Sequence, residues 1–288
     1  MSIEDSGRFD APKIPTREII VGGLRAEFLP AEPKLYLETA IFIPGSGLTA
    51  KSGLPVLESF GRNGFDSMSV NLKGRLGELP NAEFAGRSMV DFNEDIRRAR
   101  EDLTQQGLNY NQQVLVGRSA GGLTAMEQAA DQKPAALILL TPGLPSQFPM
   151  KAPTPEEEAK VQELIARGDM IKRDKASFLS WFGDRVPSDF EAAYDEKYKP
   201  MLGFESHQAR FEAYSKPPSI NPEKIKCPIL VVGASDDNRV SPQQCQELAR
   251  FLRGDYLEMK AGHLLMLESE WPQFSQQITE WLKARLGK

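Results

Sequence analysis

Residues 112–125 read QQVLVGRSAGGLTA, and this stretch decides the fold. Val114-Leu115-Val116 is a short apolar, β-branched run that predicts a buried strand. Gly121-Gly122-Leu123-Thr124-Ala125-Met126 opens a helix. Between them lies Gly117-Arg118-Ser119-Ala120-Gly121, a G-x-S-x-G. A serine at the tip of a sharp strand-to-helix turn is held in a strained backbone, and only small residues fit two positions to either side. The turn lifts the hydroxyl out of the sheet. It also aims the Ala120 N–H and the positive end of a helix dipole at whatever the serine attacks. The pentapeptide alone is short enough to arise by chance, so the rest of the chain has to supply a base and an orienting acid.

Upstream, residues 1 to about 16 read as a poorly ordered lead broken by Pro12 and Pro15. Glu18 to Phe28 reads as a β-hairpin around Gly22-Gly23. A third strand, Leu37 to Ile43, stops at Pro44-Gly45-Ser46-Gly47. Then come a helix over Leu54 to Asn63, a strand over Ser67 to Leu72, and a long amphipathic helix over Met89 to Gln106. Downstream, Ala135 to Leu140 is an unbroken apolar run, as a strand covered on both faces requires.

The alternation pauses over 143–222, which is rich in Pro, Lys, Glu and aromatics and holds no convincing strand. Helices are expected there at 155–167, 175–182, 188–198 and 204–214, forming an inserted helical cap. Strands return at 228–233 and 256–259, each followed by a helix, at 242–253 and 271–285. The reading is an α/β fold with a mostly parallel eight-stranded sheet flanked by helices. Its core spans 1–142 and 223–288, and 143–222 is the cap.

Composition narrows the function classes. The 288 residues are 40% hydrophobic and 26% charged, a globular profile. A net charge of −5 without any Lys/Arg block argues against nucleic acid as a partner. No apolar run approaches the ~18 residues that cross a membrane. The polar N-terminal segment lacks the apolar stretch of a secretory signal, so a cytoplasmic location is the expectation. Cys227 and Cys245 form no CxxC and read as small buried hydrophobes. With His207 and His263 as the only histidines, neither a metal nor a cofactor is called for, and the expected partner is a small-molecule substrate. The oligomeric state is left open.

A base and two acids appear at strand ends. Val232-Gly233 is followed by Ala234-Ser235-Asp236-Asp237-Asn238-Arg239-Val240-Ser241-Pro242, and the next strand by Ala261-Gly262-His263. Both loops leave the carboxyl edge of the sheet, where ligands bind in open α/β folds. With GRSAGG, GASDDNRVSP, AGH followed by Glu268 and Pro272, and PGSG after the third strand, the sequence resembles the α/β-hydrolase fold superfamily over almost its whole length. The order Ser, Asp, His is that of this superfamily.

The resemblance implies roles. Ser119 is the nucleophile and His263 the base, which later protonates the leaving group. Counting forward from Gly233 gives Asp236 as the acid, and counting back from Val240 gives Asp237, the preferred reading; the other aspartate then caps the following turn. Ala120 N–H and, from the PGSG loop, Ser46 N–H form the oxyanion hole. Pro44 departs from the His-Gly usual at this position. Arg118 either pairs with a core acid, the preferred reading, or binds a substrate carboxylate. Gly47, Phe148 and Trp181 are further candidates for substrate contact. His207 reads as a surface residue of the cap, and the charges of Lys73-Gly74-Arg75-Leu76-Gly77 as solvated. Activity is expected to fall as pH drops through the ordinary histidine pKa, ~6.5.

These assignments describe a serine hydrolase of carboxylic esters or a related acyl bond, of the esterase and lipase type. Carbon–carbon bond hydrolysis, lactone opening and thioester cleavage use similar residues on this fold. A non-catalytic binding protein on the same fold is the reading from a different class. The acyl chain and the alcohol are not readable.

Overall fold

Ten strands form among the described residues. In order they are β1 (Arg17–Val21), β2 (Leu24–Leu29), β3 (Thr39–Ile43), β4 (Asp66–Val70), β5 (Gln113–Arg118), β6 (Ala136–Leu140), β7 (Ile171–Lys172), β8 (Phe204–Glu205), β9 (Ile229–Ala234) and β10 (Asp255–Met259). The helices are α1 (Leu54–Arg62), α2 (Asn81–Ala85), α3 (Met89–Gln105), α4 (Ala120–Asp131), α5 (Pro155–Ala166), α6 (Lys175–Phe182), α7 (Phe190–Ala193), α8 (His207–Ser215), α9 (Pro242–Leu252) and α10 (Trp271–Arg285). This computed structural model describes residues 15–287, so nearly all of the N-terminal lead lies outside it.

Eight strands make one sheet in the order β1-β2-β4-β3-β5-β6-β9-β10. Only the pairs β1–β2 and β2–β4 are antiparallel; every other pair in this sheet is parallel. Consecutive side chains feed opposite faces. On β6, Leu137 and Leu139 join the core beneath α3, α4 and α9, while Ala136, Ile138 and Leu140 join the core beneath α1 and α10. Both faces are therefore dry, which explains why β5, β6 and β9 read as continuous apolar runs. The long helix α3 begins at a capping box, Ser88 with Asp91, and buries Phe92, Ile96, Ala99 and Leu103 along one stripe.

Residues 143–222 add no strand to the main sheet. They hold α5 to α8 and a separate two-stranded pair, β7 with β8. Three expectations are corrected here. The pair exists, two residues per strand, too short for any pattern to announce. The helix expected from 204 starts at His207, because Phe204 and Glu205 are extended and Ser206 caps. The helix expected over 188–198 is a short α7 followed by a π-turn at Tyr194–Tyr198. Aromatic side chains hold this region together. Phe178, Phe182, Phe190 and Tyr198 pack edge-to-face or tilted, with ring centroids 4.8–6.2 Å apart. Among the described residues no helix is long and apolar enough to cross a membrane.

Candidate active site

β5 ends and α4 begins without a loop between them, so one residue must absorb the whole reversal. That residue is Ser119, with φ 51° and ψ −127°. A non-glycine residue at positive φ is strained, and the surroundings must hold it there. The Ser119 N–H donates to Leu140 O at 3.2 Å, and its carbonyl accepts from Gly122 N and Gly143 N at 2.8 Å each. The helix then presses against the end of β3. A Cβ on Gly121 would lie 2.3 Å from Ile43 O and 2.5 Å from Pro44 O, backbone atoms that cannot swing aside. Gly121→Ala is expected to cost about 1–3 kcal/mol of folding stability. A urea midpoint unchanged from the parent protein would contradict this packing.

The loops after β9 and β10 complete the arrangement. His263 Nε2 lies 3.2 Å from Ser119 Oγ, and His263 Nδ1 lies 2.9 Å from Asp237 Oδ2. Asp237 Oδ1 accepts from Arg239 N and Val240 N at 2.7 and 3.1 Å, so the same carboxylate caps its own turn and faces the imidazole. Asp236 points elsewhere. It is 45% exposed and pairs with Arg185 at 3.1 Å, in a group that includes Glu268 and Glu270. The capping role expected of the second aspartate therefore belongs to Asp237 itself. Glu268 also accepts from Gly262 N at 2.6 Å, which fixes the loop just before His263. The His263 carbonyl is gripped by Thr141 Oγ1 at 3.2 Å and by Arg118 Nη2 at 3.1 Å. Thr141, itself at φ 41°, has no signal in the sequence beyond ending an apolar run before Pro-Gly.

Residues 40–276 match the sequence profile of the alpha/beta hydrolase family. The chain belongs to this family. No curated protein sequence matches it significantly. Its fold is similar to that of a monoacylglycerol lipase from Paleococcus ferrophilus, at 19% identity and a TM-score of 0.66, covering 91% of this chain and 99% of that one. It is similar to a thermophilic esterase from Thermogutta terrifontis, solved with malate bound, at 19% identity and a TM-score of 0.66, covering 94% and 98%. It is also similar to an enol-lactonase from Burkholderia xenovorans LB400, at 16% identity and a TM-score of 0.62, covering 93% and 100%. At these identities the likeness speaks for the fold.

Within this alpha/beta hydrolase, two spaces between the described residues reach Ser119. One, of about 480 Å³, is lined by Ser46, Arg118, Arg173, Trp181 and Arg239 among others. The second, of about 420 Å³, is lined by Leu144, Pro149, Met150, Ala213 and Val240, by the polar Lys151, Asn238, Arg239 and Gln244, and by Ala120 and His263, among others. Gly47 is not among the lining residues of either but lies directly beneath the Arg173 side chain. Phe148, expected to contact substrate, is not among the lining residues of either: its ring packs edge-to-face on Phe251 of α9, 5.7 Å between centroids, while its chain neighbours Pro149 and Met150 line the second space. His207 is also absent from both spaces; it lines a groove beside Lys151 and Phe211.

The arginines depart most from the sequence reading. Arg118 is 2% exposed, and no carboxylate pairs with it among the described residues. The core ion pair expected for it is not there; the His263 carbonyl takes that place. Arg75, expected to be solvated, is 3% exposed, donates to Phe204 O at 3.0 Å and lies over the Phe92 ring.

Burial, and after it the Arg118 guanidinium, hold His263 down to about 4 against the opposing pull of Asp237. A base works only when neutral, and an imidazole pushed below its usual pKa stays neutral further into acid. For His263 acting as base, kcat/KM is expected to stay level from pH 7 to about 5 and to fall only below about 4 to 5. This replaces the midpoint near the ordinary histidine value expected from sequence. An acid limb centred between pH 6 and 7 in the free enzyme would contradict this environment.

Proposed function

We propose that this protein is a serine hydrolase of carboxylic esters. The observation that carries the reading is the hydrogen-bonded row Ser119–His263–Asp237, with Ser119 held at positive φ between β5 and α4. A neutral imidazole within hydrogen-bond reach of a serine hydroxyl is a base for that hydroxyl. The buried carboxylate on Nδ1 fixes the tautomer that leaves Nε2 free to accept, and stabilises the imidazolium once formed.

The chemistry runs in two halves. Ser119 Oγ bonds to the acyl carbon while its proton moves to Nε2. The carbon–oxygen bond to the alcohol breaks, and Nε2 returns the proton to the departing alkoxide. Water then repeats the attack on the acyl-enzyme, Nε2 taking its proton and giving it back to Ser119 as the acid leaves. The negative charge on the carbonyl oxygen is met by Ala120 N–H, a first-turn amide with no partner inside its helix, and by Ser46 N–H from the loop after β3. Residues 143–222 act as a cap over the core formed by the described residues on either side of them in the sequence, and the substrate enters the two spaces beneath it.

A panel of aryl esters of increasing acyl length tests the reading. Turnover that disappears in Ser119→Ala supports it. Turnover confined to β-diketones, lactones or thioesters would move the activity to those bonds with the same residues. Stoichiometric binding with no turnover of any of these would leave a binding protein on the same fold.

A further inference from the structure

One of the two spaces at Ser119 is walled by positive charge. Arg118, Arg173, Arg210 and Arg239 all line it, and among the described residues no aspartate or glutamate does. Two carboxylates stand behind the wall. Glu205 pairs with Arg173 and, at 3.4 Å, with Arg210; Asp237 is engaged by His263. Four guanidiniums against two carboxylates leave an excess of two positive charges in a chain whose net charge is −5. Such a concentration inside an acidic protein focuses a field on one spot.

Two of these side chains are buried and underused. Arg118 is 2% exposed and the Arg173 side chain 9% exposed. Among the described residues the Nε–H of each has no hydrogen-bond partner. A buried guanidinium donor without an acceptor is costly; the Nε–H groups of Arg75 and Arg87 share that condition, but those of Arg118 and Arg173 belong to side chains that line the space at Ser119, where an anion can supply the acceptor. Both groups are also held in place. The Arg118 and Arg173 guanidinium carbons lie 6.0 and 5.2 Å from the Trp181 ring centre, within reach of a cation–π contact. Gly47 makes room for one of them: a Cβ there would fall 2.6 Å from Arg173 Cγ and Nε.

We propose that the substrate carries an oxyanion group, a carboxylate or a phosphate, and that Arg118, Arg173, Arg210 and Arg239 bind it beside Ser119. The planar fork of arginine matches the oxygens of either group, and two forks on one anion discriminate charged from neutral substrates. The second space, where Leu144, Met150 and Val240 stand beside Lys151, Asn238, Arg239 and Gln244, takes the remainder of the molecule. This inference rests on the serine hydrolase reading for its chemistry, though not for its binding.

The test compares p-nitrophenyl esters of one chain length: butyrate, hemisuccinate and a phosphate-bearing acyl ester. At low salt, kcat/KM for an anionic ester is expected to exceed that for the butyrate by about 10- to 100-fold. Added salt is expected to shrink the ratio. In Arg118→Gln and, separately, Arg239→Gln, the ratio is expected to fall by about tenfold or more, with circular dichroism confirming the fold. Arg239 is exposed, so its variant keeps the test alive if Arg118→Gln does not fold. Preference for hemisuccinate assigns a carboxylate, preference for the phosphate ester a phosphate. In Ser119→Ala, succinate or inorganic phosphate is expected to bind by calorimetry. Equal turnover of all three esters, with neither anion binding Ser119→Ala up to about 10 mM, would overturn the proposal. A neutral fluorophosphonate separates the two readings. Labelling of Ser119 without anion preference overturns only the anion site; anion binding without labelling or turnover overturns only the serine hydrolase.

Discussion

Asp237→Asn is expected to lower kcat by about 10⁴-fold while leaving the fold and KM nearly unchanged. The asparagine side chain still fills the turn and can accept from Arg239 N and Val240 N as Asp237 Oδ1 does. It can, however, present an N–H to His263 Nδ1 where the carboxylate presents an acceptor. That favours the tautomer whose proton sits on Nε2, facing the hydroxyl it should deprotonate. The carboxylate that stabilises the imidazolium is lost as well. Asp236→Asn is the control. Its partner is Arg185 on the surface, so its effect on kcat is expected to stay within about threefold. Steady-state kinetics on one ester measures both. Comparable losses in the two variants, or a loss confined to Asp236→Asn, would contradict the arrangement around His263.

Ser119→Ala is the larger effect. It removes the atom that bonds to the acyl carbon, and a loss of about 10⁶-fold in kcat is expected, down to whatever the surrounding amides and arginines supply without a nucleophile. Stability is expected to move the other way or not at all. The alanine still has to sit at φ 51°, but it loses only a hydroxyl whose partner is His263. Full-length protein with a normal melting temperature and no turnover is the expected pair of results. Residual activity of one part in ten would assign the chemistry to another group.

Much of this was legible because the sheet is dry on both sides. Burial on both faces forces unbroken apolar runs at β5, β6 and β9, and such runs are conspicuous against polar helices. The turn at Ser119 was legible because steric crowding around a strained residue admits only small neighbours, and that leaves a spaced pattern of glycines. Asp236 and Asp237 were harder to separate. They are adjacent and identical, and what distinguishes them is Arg185, some fifty residues away, which captures one and leaves the other for His263. Arg118 and Arg75 escaped for the opposite reason. A buried arginine is expected to have a carboxylate partner, yet these two are satisfied in part by the carbonyls of His263 and Phe204. A carbonyl partner leaves no trace in the sequence. Thr141 is invisible on the same ground, because it acts through a backbone oxygen. The two-residue strands β7 and β8 are set by tertiary contact alone, and no local period is that short.

Every step proposed for this protein requires that Ser119 be a nucleophile activated by His263. Mass mapping after treatment with a neutral fluorophosphonate tests it most directly, since the reagent bonds only to an activated hydroxyl and needs no knowledge of the substrate. One adduct per chain is expected, on Ser119, with loss of ester hydrolysis in step with labelling, and labelling slowed by at least about 100-fold in His263→Ala. A folded protein that takes up no reagent at Ser119, or that is fully labelled there and still turns over ester at the original rate, would contradict it.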